Sequence, residues 1–140
     1  MRVGMVLEGG GMRGMYTAGV LDAMMENEIQ IDGIVGVSAG TVFGCNYKSK
    51  QIGRTIRYNK KYCKDPRYGS FRSLLKSGDV FDKDFCYNQL PKVLDPFDYK
   101  TFSENPMEFY ATCTDANTGK AVYKRCYNGD DKELEWFMAS

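Results

Sequence analysis

Histidine is absent from this 140-residue chain. Its absence excludes a Ser-His-Asp triad, a Cys-His pair, an HExxH zinc site and a His/Cys finger, so any nucleophile must be served by Asp, Glu, Lys or a backbone amine. The five cysteines (Cys45, Cys63, Cys86, Cys113, Cys126) are odd in number, widely spaced and without a CxxC pair. That pattern argues against a disulfide framework and against a structural zinc ribbon. Long apolar runs are missing as well. Met1 to Leu7 holds one arginine and a five-residue apolar run before Glu8, too short for a signal-peptide core, and no stretch approaches a membrane span. A reducing, cytoplasmic setting is expected. With no internal repeat, low-complexity tract or Pro/Gly/Ser-rich linker, residues 1–140 are expected to form a single domain.

What is present is unevenly spread. The net charge is only +1, yet ten of the nineteen basic residues fall between Lys48 and Lys76, with Asp65 as the single acid among them. Tyr58, Tyr62, Tyr68 and Phe71 are interleaved with these charges. A solvated helix face accounts for such a run. So does peripheral contact of residues 48–76 with anionic lipid headgroups, the rings resting at the interface. Nucleic-acid binding uses the same ingredients, but no recognised fold signature accompanies them, and none is expected.

The order of elements starts β-α-β-α. Arg2–Leu7 is a short apolar run ending at a glycine cluster, as a buried parallel strand does. From Arg13 to about Asn27 the pattern is helical, with Tyr16, Gly19, Val20, Ala23 and Met24 on one face. Ile34–Val37 is a second buried strand, and Ala39–Cys45 a helix of small residues. Lys50–Cys63 reads as a charged surface helix, and Phe71–Leu75 as a short amphipathic piece. Phe85–Leu90 and Tyr99–Phe102 read as short helices separated by Pro91 and Pro96. Phe109–Thr114 and Ala121–Cys126 are strands joined by a turn at Asn117-Thr118-Gly119. Glu133–Ala139 begins a helix.

Two glycine motifs sit at strand-to-helix junctions. In Gly9-Gly10-Gly11-Met12-Arg13-Gly14 the glycines let the backbone turn sharply and point several N–H groups at one spot, and the helix N-terminus adds positive partial charge. Such a loop stabilises an anion, whether a bound phosphate or the oxyanion of acyl transfer; a tight turn without a ligand is the bland alternative. In Gly36-Val37-Ser38-Ala39-Gly40 a serine on a sharp turn is lifted clear of the sheet, where bulkier flanking side chains would clash. A serine that merely caps a helix is the simpler alternative. Parallel strands bring both junctions to one sheet edge, so the loop's N–H groups lie beside Ser38. A dinucleotide-binding unit would need its acid at the end of the second strand. Asp32 precedes that strand, and Ser38 occupies the end.

A strand, then Gly9 to Gly14, a helix, and then Gly36 to Gly40 resembles the patatin-like phospholipase domain. Ala111 to Gly119 is similar to the third-strand region of bacterial members, and Trp136 to Ser140 to the start of the helix ahead of their acidic motif. The resemblance implies a three-layer α/β/α fold with a mainly parallel central sheet and a Ser-Asp dyad that needs no histidine. It implies Ser38 as nucleophile, the backbone of Gly10, Gly11 and Met12 as oxyanion hole, Arg13 as the loop's basic position, and Gly9, Gly14, Gly36 and Gly40 as supports of the two motifs. It implies cleavage of phospholipids or other acyl esters through an acyl-serine, without metal or cofactor. The family's acid lies in an Asp-Gly-Gly or Asp-Gly-Ala motif after the serine. The only Asp-Gly here is Asp32-Gly33, before it. The acid is therefore expected beyond residue 140, since the last residues read as a helix stopped mid-run. Asp115, at the end of a strand, is the alternative within the chain, although a turn former suits that position equally. A lipid-binding remnant, catalytically silent for want of the acid, is the competing reading of the whole.

Overall fold

The computed structural model describes residues 1–68 and 82–140, so the amphipathic piece expected at Phe71–Leu75 lies outside the described residues. In chain order the elements are β1 (Gly4–Leu7), α1 (Gly14–Glu26), β2 (Gly33–Val37) and α2 (Ala39–Lys48). There follow α3 (Arg54–Tyr62), the π-wound helix α4 (Phe85–Leu94) and α5 (Tyr99–Glu104). The chain goes on through β3 (Glu108–Thr114) and β4 (Ala121–Arg125) to α6 (Asp131–Ala139). The residues fall into two compact units, one of residues 1–55 with 98–140 and one of residues 56–97.

The larger unit is built on a sheet of order β1-β2-β3-β4. β1, β2 and β3 run parallel, with Leu7 opposite Gly36 and Gly36 opposite Ala111. β4 returns antiparallel to β3, as the turn residues predict. Both crossovers, β1 to β2 and β2 to β3, step the same way across the sheet. Right-handed connections then place α1 and α2 on one face. α2 rests on all three parallel strands, α1 on α2, and α6 on β3. Under them lie Leu7, Ile34, Phe43, Phe102, Phe109, Ala111 and Phe137, all buried. Phe109 stacks on Phe137 at 5.8 Å and meets the edge of Phe102 at 5.7 Å. The mixed α/β class with a mostly parallel sheet is the one expected. On the opposite face Val6 is 76% and Tyr123 62% exposed.

Three local expectations need correction. The buried stripe of α1 is Gly14, Ala18 and Leu21, not the bulkier face with Tyr16 and Val20, which are exposed. Close approach to α2 selects the small residues: a Cβ on Gly14 would stand 2.8 Å from Phe43 Cε2 and 3.2 Å from Ala39 Cβ. The expected Lys50–Cys63 surface helix begins only at Arg54, because α2 ends in a closed turn, and its Arg54, Thr55, Tyr58, Asn59 and Tyr62 are buried. Pro91 lies inside α4 rather than beyond a helix end.

The run of basic residues likewise does not form one solvated face. Lys48 is buried, its Nζ donating to Met107 O at 2.7 Å and sitting 4.7 Å from the Phe102 ring centroid. Burial holds its pKa below the usual lysine value. Arg54 donates to Asn46 Oδ1 at 2.8 Å. In the smaller unit Arg57 makes a two-point ion pair with Asp95, both bonds 2.8 Å, and Arg67 pairs with Asp65. That unit packs Tyr62 edge-on to Phe85 at 5.5 Å. No helix among the described residues is long and apolar enough to cross a membrane.

Candidate active site

Among the described residues, three other than glycine have positive φ: Glu28, Ser38 and Lys50. Two of them close helices. Ile29 N–H donates to Met24 O after α1, and Gln51 N–H to Asn46 O after α2, the six-to-one bonds that favour a left-handed residue at a helix end. Ser38 has no such role. It joins β2 directly to α2 at φ 52°, ψ −120°, in sparsely populated backbone space that persists only where the surroundings over-determine it.

Those surroundings are glycines. A Cβ on Gly40 would collide with the carbonyl oxygens of Leu7 and Glu8, and one on Gly36 would stand 2.6 Å from Thr41 N. The turn can therefore be this sharp only without side chains at both flanks. Past it, Thr41 and Val42 N–H both donate to Ser38 O, starting α2. Ser38 itself is exposed.

The first glycine motif lies against the second. A Cβ on Gly9 would stand 3.0 Å from Ser38 Cβ and 3.8 Å from Ser38 Oγ. Gly11–Arg13 form one 3₁₀ turn, entered through Gly11 at φ 52° and closed by Arg13 N–H to Gly10 O at 3.1 Å. The first N–H groups of such a turn have no partner within it, and Gly11 and Met12 are exposed. Arg13 folds back over Gly10, with Nε and Nη2 each 3.3 Å from where a Gly10 Cβ would be. Gly9, Gly10, Gly11, Met12 and Arg13 thus stand at the sheet edge where Ser38 emerges.

Asp115 behaves differently. Its Oδ1 accepts from Asn117 N–H at 2.8 Å and Thr118 N–H at 2.9 Å, and Gly119 N–H donates to its carbonyl. Those backbone donors hold its carboxyl below the usual range, which makes it a turn former and a weak base. Among the described residues, no carboxylate is hydrogen-bonded to Ser38 Oγ. Asp32 ties β1 to β2: its Oδ2 accepts from Val3 N–H at 2.6 Å, and its own N–H donates to Val3 O.

Sequence reasoning missed one residue. Ser140 Oγ, at the end of α6, accepts from Ser38 N–H at 3.0 Å, lies 2.9 Å from Thr41 Oγ1 and donates to Thr112 O at 2.7 Å. No spacing rule couples residues 102 apart, so nothing short of the fold reveals it.

A parallel α/β sheet whose second strand ends in a strained serine, with a glycine loop on that serine, has the architecture of a nucleophile-elbow protein. The sequence profile described as patatin-like phospholipase matches residues 5–135. The chain belongs to the patatin-like phospholipase family. It is 27% identical over 142 aligned positions to YjjU of Escherichia coli strain K12, covering 98% of this chain and 36% of that protein. It is also 38% identical over 63 positions to M110.7 of Caenorhabditis elegans, a protein named for a patatin-like phospholipase domain; there the match covers 45% of this chain and 6% of the relative. The chain spans about a third of the length of the bacterial relative.

Proposed function

We propose that Ser38 is the nucleophile of a lipid acyl hydrolase acting on phospholipids or related acyl esters. The observation that carries this reading is the strained φ of Ser38 at the strand-to-helix junction, with Gly9 packed on its Cβ. In the first step Ser38 Oγ attacks the ester carbonyl carbon, and its proton passes to a carboxylate. The carbonyl oxygen becomes an oxyanion held by backbone N–H groups of Gly10, Gly11 and Met12. The ester C–O bond then breaks, the alcohol leaves with the proton, and an acyl-serine remains. Water attacks that acyl group and releases the fatty acid, returning Ser38 to its starting state. Arg13, folded over Gly10, keeps positive charge beside the oxyanion loop.

Asp115 is occupied by its turn, and the proton acceptor in this reading is the Asp-Gly carboxylate that the family resemblance implies. Among the described residues, headgroup contact falls to Lys60, Lys61 and Lys64, which are exposed, as is Lys50 after α2; Lys48 and Arg54 are buried, and Arg57 and Arg67 are paired with carboxylates. The test is fatty-acid release from phospholipid vesicles by the full-length protein. Ser38→Ala is expected to lower the rate by at least about a thousandfold, as loss of a nucleophile does. Equal release by the variant would overturn the assignment.

A further inference from the structure

We infer that Ser140 is a positioning residue that holds the Ser38 elbow in its reactive backbone conformation. The inference rests on the reading of Ser38 as nucleophile. A serine hydroxyl has one proton to give and two lone pairs to receive. The Ser140 proton goes to Thr112 O at 2.7 Å. Both remaining contacts must then donate to Ser140: the Ser38 N–H at 3.0 Å and the Thr41 hydroxyl at 2.9 Å. The oxygen's valence is full, and each partner comes from a different element: β3, the elbow, and the first turn of α2.

That placement bears on the strain at Ser38. The turn from β2 into α2 leaves the Ser38 N–H without a ladder partner, since the pairing of β2 with β3 ends at Val37 and Thr112. Ser140 accepts that N–H while anchored on Thr112, the residue opposite Val37. The elbow is thus clamped from the helix side by Thr41 and Val42 N–H on Ser38 O, and from the strand side by Ser140 on Ser38 N–H. Thr41 is fully buried, so its hydroxyl gives the clamp a rigid base. With the hydroxyl removed, the Ser38 N–H turns to water and the residue is freed to leave φ 52°. Oγ would then leave its position beside Gly9.

Two readouts on the full-length protein separate this inference from the reading beneath it. The first is amide hydrogen exchange at Ser38. The wild type is expected to protect this N–H despite the exposure of the residue. Ser140→Ala is expected to speed exchange there by about tenfold, with melting temperature and core amides near wild type, and Ser140→Thr, which keeps the hydroxyl, to restore protection. The second is the rate at which a fluorophosphonate modifies Ser38, expected to fall about tenfold in Ser140→Ala and to recover in Ser140→Thr. An unprotected Ser38 amide in the wild type overturns the inference without any variant, whether or not Ser140→Ala folds. Unchanged exchange in a folded Ser140→Ala also overturns it. A protected amide that Ser140→Ala releases, in a protein no fluorophosphonate modifies, supports the clamp and rejects the nucleophile.

Discussion

Ser38 keeps an unfavourable backbone because three neighbours leave it no alternative: Gly9 on its Cβ, the Gly40 turn beneath β1, and Ser140 on its N–H. At this scale Gly40 is the least replaceable, since its missing Cβ is space filled by the Leu7 and Glu8 carbonyls, which belong to backbone and cannot rotate away. Gly40→Ala is expected to cost about 1–3 kcal/mol or more by overpacking. It should appear as a lower urea midpoint at constant m-value, together with loss of Ser38 reactivity; a midpoint within error of wild type would contradict the turn as described. Ser38 and the loop were legible in the sequence because their glycines mark required close approaches. Ser140 was not, because its partners Ser38, Thr41 and Thr112 are joined only by tertiary folding.

At the scale of elements, the sheet has two unlike faces. Leu7 is buried beneath α2, where a Cβ on Gly44 would stand 2.6 Å from Leu7 Cδ1, while the neighbouring Val6 points the other way and is exposed. Leu7→Ala is therefore expected to lose about 2–5 kcal/mol, and Val6→Thr to stay within about 0.5 kcal/mol, in paired denaturation curves. Similar losses at both positions would mean that the open face is covered. Strand positions were readable because β3 alternates strictly, with Phe109, Ala111 and Cys113 inward. The buried face of α1 was not. Apolar periodicity pointed to Tyr16 and Val20, but backbone approach to Phe43 and Ala39 favours Gly14 and Ala18. For the same reason Lys48 and Arg54 read as surface charges. Their burial depends on Met107 O and Asn46 Oδ1, acceptors that no local pattern announces.

For the whole molecule, buried thiols bear on stability at alkaline pH. Burial pushes Cys45 and Cys126 up to about 12, whereas an unfolded cysteine titrates near ~8.5. Between roughly pH 9 and 12 the unfolded chain has released protons that the folded chain retains, so stability falls as pH rises through that window. Cys45→Ala is expected to flatten the fall by up to about 1.4 kcal/mol per pH unit, read from urea midpoints at pH 8, 9 and 10. An unchanged slope would place Cys45 in contact with water. Zero histidine, first a list of exclusions, is at this scale consistent with a serine served by a carboxylate. Ser38 is proposed as an activated serine. Its most direct test is fluorophosphonate labelling of the full-length protein between pH 6 and 9, with the adduct mapped by peptide mass. One adduct is expected, on Ser38, lost in Ser38→Ala and on unfolding in urea. No adduct, or an adduct that persists in Ser38→Ala, would contradict it.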